Sequence, residues 1–178
     1  MLIAGMTVSL ADVDGSVSRL YPDFAELRGS DYLDALIAET GAVLMGRRTF
    51  AMADPDSYVG DYEFQVPIFV VTHEPPGVAP KQDEHLTFTF VTDGVESAAA
   101  QANAAAGGRD VQVVGGPNVI RQLLAAGLVD VLGVDVMPVL LGSGLRLFDG
   151  PGLDHVRLEK NDVREVGART SFRFRVTS

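Results

Sequence analysis

A short apolar run that ends in glycine and turns at once into a helix start occurs twice in this chain, in "AVLMGRRTF" (residues 42–50) and in "VQVVGGPNVIRQLL" (residues 111–124). Both runs are too short for helices, and the second is dominated by valine, so they read as buried strands. After the second, the spacing changes. Val119, Leu123 and Ala126 recur at helical intervals with Ile120 and Leu124 beside them, and Pro117 occupies a first-turn position where proline is tolerated. The glycines between strand and helix admit two readings: they turn the chain sharply, or they let backbone approach a ligand over the helix N-terminus, where free N–H groups and the dipole favour an anion.

The same alternation runs through the chain. "LIAGMTVSL" reads as strand, "SDYLDALIAETG" as a helix capped by Ser30 or Asp31 and closed by Gly41, and "RRTFAMA" as a short helix. "PIFVVT" and "LTFTFVT" read as strands, "VESAAAQANAAAGG" as an Ala-rich helix ending in glycines, and "VDVLGVDVMPVLL" as one long strand. The last segment, "HVRLEKNDVREVGARTSFRFRVTS", alternates on both sides of Gly167 and predicts an antiparallel hairpin. The expected fold is α/β, with a mostly parallel central sheet flanked by helices and the C-terminal hairpin added at one edge. "HEPPGVAPKQDEH" is read as a surface loop, so residues 1–178 are expected to form a single domain.

Composition removes several classes of function. With 24 acidic against 14 basic residues the net charge is −10, which argues against nucleic acid or an anionic membrane as partner. No cysteine is present, so disulfides and thiol chemistry are excluded, and His73, His85 and His155 lack ligand spacing. No metal site is expected. The start of the chain carries no basic leader and no apolar stretch is long enough to span a bilayer, from which a cytoplasmic protein is expected.

Against that acidic background, Arg47, Arg48 and Thr49 directly follow Gly46 in a predicted first helical turn. Cations are unfavourable there unless an anion offsets them, and a phosphate would do so. A third strand ends in Thr72 and His73. Ligands of open α/β sheets bind outside the carboxyl ends of strands, so these three ends together suggest a nucleotide cradle. It is not the usual dinucleotide fingerprint, because "GGPNVI" lacks the third glycine and comes late in the chain. Nor is it a phosphate-binding Walker loop, since no lysine follows a glycine cluster.

The order "TVSLADVDG", "VLMGRRTF", "IFVVTH", "VVGGPNVIRQLL" and "MPVLLGSGLRLF" resembles the dihydrofolate-reductase-like fold, specifically the reductase domain of bacterial riboflavin biosynthesis and its stand-alone relatives. The resemblance covers essentially the whole chain and implies a three-layer NADPH-dependent reductase. It places Arg47 on the adenosine 2′-phosphate with Arg48 near it. Gly46 belongs to the same motif, and Thr49 with the backbone of Gly115, Gly116 and Asn118 would hold the pyrophosphate. Thr72 would lie by the adenine ribose, and the main chain near Val8 and Ser9 would meet the nicotinamide. Relatives are commonly homodimers, with "MPVLLGSGLRLF" as a possible contact.

The substrate side is less fully specified. The loop "SLADVDG" carries extra residues before Asp14 and Gly15 relative to the Ser-Leu-Asp-Gly usual in the family. Dihydrofolate reductases place an acid early in the first helix, where this chain has Ser30, with Asp31 and Asp34 beside it; both carboxylates also suit helix capping and the dipole. Asp135 interrupts an apolar strand that the resemblance places beside the substrate pocket; a buried carboxylate needs a cavity or a partner, so Asp135 is read as the substrate-side catalytic candidate, with a solvent-facing position as the alternative. Tyr21, Tyr32 and Phe50 are candidate pocket aromatics, and Arg19, Arg28 and Arg146 candidate sites for a substrate phosphate. The expected reaction is hydride transfer from NADPH to a small nitrogen heterocycle or ribosylamino-pyrimidine. From the resemblance, 5-amino-6-(5-phosphoribosylamino)uracil comes first, with a folate or pterin, or non-catalytic nucleotide binding, as alternatives.

Overall fold

The computed structural model describes residues 1–7, 20, 24–141, 143–144, 146–149 and 151–177. The elements follow in the order β1 (Leu2–Thr7), α1 (Phe24–Leu27), α2 (Asp31–Glu39), β2 (Thr40–Gly46), α3 (Arg47–Phe50), α4 (Tyr58–Asp61), β3 (Ile68–Val71), β4 (Phe88–Val91), α5 (Val95–Ala105), β5 (Asp110–Val114), α6 (Pro117–Ala125), β6 (Val131–Val136), β7 (Arg157–Val166) and β8 (Arg169–Thr177). All eight strands form one sheet, ordered β4-β3-β2-β5-β1-β6-β8-β7. Pairing is parallel from β4 across to β6 and antiparallel for β6 with β8 and β8 with β7.

The period-two alternation of strand side chains divides the core into two layers. Ala42 and Leu44 of β2 join Val111 and Val113 of β5 in one, covered by Ala98 and Ala102 of α5 and by Ile120 and Leu123 of α6. Val43 and Met45 point the other way, to Phe50, Tyr58, Ile68 and Val70, with Leu36 and Ile37 of α2 packed against them. This is a three-layer α/β sandwich. A strand buried on both faces has no polar side, which is why β2 and β5 read as nearly continuous apolar runs.

Two boundaries differ from the sequence reading. Ser30 does cap α2, its Oγ accepting from the Leu33 N–H at 3.2 Å, but the helix closes at Glu39 without Gly41. Thr40 starts β2, and its hydroxyl donates to the Leu36 carbonyl at 2.6 Å. Gly41 lies inside the strand, where the register with β5 shifts. The strand expected over residues 129–141 also stops early, at Val136. Pro138 has no N–H for a ladder, and the Val139 N–H turns back to the Met137 carbonyl at 2.8 Å. The hairpin forms as read, with Gly167 at φ 58° in its turn.

Candidate active site

Because β1 to β6 run parallel, their carboxyl ends share one edge, and the helices that follow them open there. β2 and β5 are neighbours, so the two glycine junctions come together. A Cβ on Gly46 would stand 3.0 Å from Val119 Cγ2, and one on Gly115 would stand 2.7 Å from Thr49 Oγ1. Gly115 and Gly116 both have positive φ, 65° and 69°. The pair is therefore required by the turn, and Gly115 additionally by the close approach of α3. No side chain caps α3 or α6, in contrast to Ser30 on α2. First-turn N–H groups of α6 have no intrahelical acceptor and face the edge; Pro117 contributes none. The Asn118 side chain is turned along its helix, Oδ1 accepting from Gln122 Nε2 at 3.2 Å.

This geometry ranks the two glycines. At Gly116 an added Cβ meets Thr49 Oγ1 at 3.4 Å, ordinary contact, so alanine there is expected to cost about 1 kcal/mol of unliganded stability, from the left-handed backbone alone. Gly115→Ala adds the Thr49 overlap and is expected to cost more. Urea denaturation of both variants checks the order, and equal losses would contradict it.

Toward β3 and β4 the edge carries a cavity of about 250 Å³, lined in part by Arg47, Phe50, Thr72, Glu74, Pro76 and Phe90. Arg47 and Thr72, 25 positions apart in sequence, thus meet on one cavity. Arg47 and Arg48 are exposed and have no hydrogen bond or ion pair among the described residues. The buried Thr72 hydroxyl donates to the Glu74 carbonyl at 2.7 Å and accepts from the Glu74 N–H at 3.2 Å, fixing the turn that closes the cavity. Phe50 lies edge-on to Phe90 at 5.4 Å and is stacked on Tyr58 at 5.7 Å. Tyr58 donates to the Phe50 carbonyl at 3.1 Å; burial, with the charge of Glu63, pushes its phenol up to about 12.

At the other end of the edge, Asp135 of β6 pairs in register with Thr7 of β1 and Ser171 of β8. Its Oδ2 accepts from Arg169 Nη1 at 3.1 Å; the arginine is 2% exposed and the aspartate 19%. Asp135 therefore has a partner, and one side of it remains accessible. Tyr32, on the first turn of α2, shares a 3.2 Å hydrogen bond with Ser171 Oγ. Burial, then the Asp135 charge, raises its phenol above the ordinary tyrosine value, against the Ser171 bond and the charges of Arg173 and Arg169.

Asp31 is exposed at the start of α2 and is not part of this cluster. Arg28 Nη2 donates to the Asp61 carbonyl at 3.3 Å, away from the edge, and Arg146 is exposed. Val8, Ser9, Arg19 and Tyr21 lie outside the described residues. Sequence reasoning missed Arg169, Ser171 and Arg173. The available signal was the alternation in "ARTSFRFRV", which puts all three on one face of the last strand. Among the described residues no cluster of His, Asp or Glu could hold a metal ion, and no helix is long and apolar enough to cross a membrane.

An eight-stranded, mostly parallel sheet covered by helices on both faces, with a C-terminal antiparallel hairpin, is the dihydrofolate-reductase-like fold. The chain belongs to the RibD C-terminal domain family, whose model matches residues 9–172. A Bacillus subtilis relative, the uncharacterized protein YwjB, is 27% identical over 139 residues, covering 78% of this chain and 75% of its own. Among solved structures, a putative riboflavin biosynthesis protein from Shewanella sp. PV-4 is 20% identical with TM-score 0.76, over 99% of this chain and 98% of that one. The Thermotoga maritima diaminohydroxyphosphoribosylaminopyrimidine deaminase/5-amino-6-(5-phosphoribosylamino)uracil reductase is 16% identical with TM-score 0.64. The match covers 98% of this chain but 55% of that longer one. These likenesses establish the three-layer fold with its C-terminal hairpin.

Proposed function

We propose that the chain is a pyrimidine-reductase-like oxidoreductase that uses NADPH. The observation that carries this reading is the order of groups along the carboxyl edge. The Arg47–Thr72 cavity lies at β2 and β3, the glycine junctions at β2 and β5, the end of β1 next, and Asp135 beyond it on β6. From β3 to β1 the sheet steps about 14 Å at roughly 4.8 Å per strand, on the order of the length of an extended dinucleotide. Family membership, and reductases among the solved relatives, support the same reading.

The residues fit such a cofactor. Arg47, without a hydrogen bond or ion pair among the described residues, lines an aromatic-walled cavity and would hold the 2′-phosphate, with Arg48 near it. Thr49 and the uncapped N–H groups around Gly115, Gly116 and Asn118 would hold the pyrophosphate. Thr72 would border the ribose. Bound there, the cofactor supplies the hydride. The protein orients the acceptor against it and excludes water. Asp135, held by Arg169, offers a fixed carboxylate to the N–H groups of a small heterocycle, for which 5-amino-6-(5-phosphoribosylamino)uracil is the leading candidate.

Cofactor choice tests the reading. A charge-assisted contact to the 2′-phosphate contributes about 1.5–3 kcal/mol, so the protein is expected to bind NADPH well and NADH poorly. Arg47→Ala is expected to narrow that preference by roughly tenfold or more. Calorimetric titration of both cofactors decides; equal affinity of the wild type for NADH and NADPH would reject the proposal.

A further inference from the structure

The cavity beyond β2 and β3 carries a charge that has no part in the cofactor contacts proposed above. Of the nine residues that line it, only two are charged, Arg47 and Glu74, and the walls around them include the apolar Phe50, Pro76 and Phe90. Its formal charge is therefore zero. Both charged side chains are exposed, and neither has a hydrogen bond or ion pair among the described residues. The carboxylate is thus neither neutralised by the arginine nor spent on holding the fold. Backbone groups alone set the position of Glu74. Its carbonyl accepts from the Thr72 hydroxyl at 2.7 Å and its N–H donates to the same oxygen at 3.2 Å, which ties the residue to the end of β3 whatever its side chain.

The two charges favour different nucleotides. A guanidinium favours a phosphate on the adenosine ribose, whereas a carboxylate near the end of a strand accepts from an unmodified ribose hydroxyl and repels a phosphate. A cavity of about 250 Å³ is about as wide as the roughly 8–10 Å over which exposed charges act on one another in physiological salt. A phosphate held there by Arg47 is within reach of Glu74. In a chain of net charge −10, the field of the whole protein adds to that repulsion.

We propose that Glu74 is a second specificity determinant of this cavity and acts against Arg47. It repels a 2′-phosphate and offers a free 2′-hydroxyl an acceptor, so the preference for NADPH over NADH is smaller than Arg47 alone would give. This rests on the reading of the cavity as the adenosine end of a cofactor site. It adds a residue that limits the discrimination made there.

Ligands that differ only at the ribose 2′ position test this without requiring turnover. Adenosine 2′,5′-bisphosphate and adenosine 5′-monophosphate, which fill only this end of the edge, are titrated calorimetrically alongside NADPH and NADH against wild type, Glu74→Gln and Glu74→Ala. Melting temperatures confirm that each variant is folded. Glu74→Gln, which keeps an acceptor oxygen, is expected to bind the bisphosphate and NADPH about three- to tenfold more tightly than wild type, with the monophosphate and NADH changed by less than about twofold. In Glu74→Ala the gain with the 2′-phosphorylated ligands should be as large, while NADH weakens because its ribose loses an acceptor. Raising the salt to about 1 M should shrink the gain, which an altered turn at Thr72 would not do. An unchanged ratio of 2′-phosphorylated to unphosphorylated ligand in both variants would overturn the inference and leave the cofactor reading standing. Failure of all four ligands to bind either wild type or Glu74→Gln would overturn both.

Discussion

Gly41→Ala is expected to destabilise the fold by about 3 kcal/mol or more, although the residue is far from the candidate site and its replacement is the smallest available. At Gly41 two residues of β2 advance against one of β5: Thr40 pairs with Asp110 and Ala42 with Val111. The step presses the glycine onto the end of α5. A Cβ would overlap the Ala106 carbonyl oxygen and stand 2.8 Å from Arg109 Cβ. Neither neighbour can retreat easily. The Ala106 carbonyl accepts from the Arg109 N–H at 3.1 Å, and Arg109 Nη1 donates to the Thr40 carbonyl at 2.8 Å, tying the turn after α5 back to the strand. Overpacking costs about 1–3 kcal/mol when flexible side chains can adjust, and more when the obstacle is backbone. Chemical denaturation of the unliganded variant measures the loss; a change below about 1 kcal/mol would show that the β2–α5 contact yields.

That glycine also shows where reading the sequence stops. A glycine after a helical pattern matches the local rule for a helix end, and nothing nearby contradicts it. The real constraint is a carbonyl 65 positions later, brought close only by the parallel crossover. The two site junctions were legible for the opposite reason. In "VLMGRRT" and "VVGGPN" the strand, the glycine and the helix start are contiguous, so local chemistry describes them fully, and their meeting follows once β2 and β5 are neighbours. The hairpin was legible from alternation on both sides of Gly167. The run "VLGVDVMPVLL" was not parsed correctly because apolar character continues past the strand, while the missing N–H of Pro138 ends the ladder. Asp135 was recognised as costly to bury. Its partner, 34 positions on, depends on the antiparallel pairing of β6 with β8, which sequence spacing does not reveal.

The same pair yields a result that separates structure from chemistry. Asp135→Asn removes the carboxylate charge facing Arg169, a guanidinium 2% exposed, and breaking a buried pair in this way costs about 3–5 kcal/mol. Unliganded stability is therefore expected to fall by about 3 kcal/mol, the partly accessible position of Asp135 favouring the lower end. NADPH affinity should change little, because the residues proposed to hold it follow β2, β3 and β5. Loss of turnover in this variant alone would be ambiguous, since a loosened β6–β8 edge also displaces a bound acceptor. The double variant Asp135→Asn/Arg169→Met resolves the ambiguity. With both charges gone and similar volume retained, stability should recover the part of the loss that comes from the unmatched Arg169 charge, while the other interaction of Arg169 is lost with it. If Asp135 offers its carboxylate to the acceptor, turnover stays low in this re-stabilised protein. Recovery of turnover together with stability would confine Asp135 to holding Arg169 in the sheet, and the acceptor would have to be read by other groups on that face.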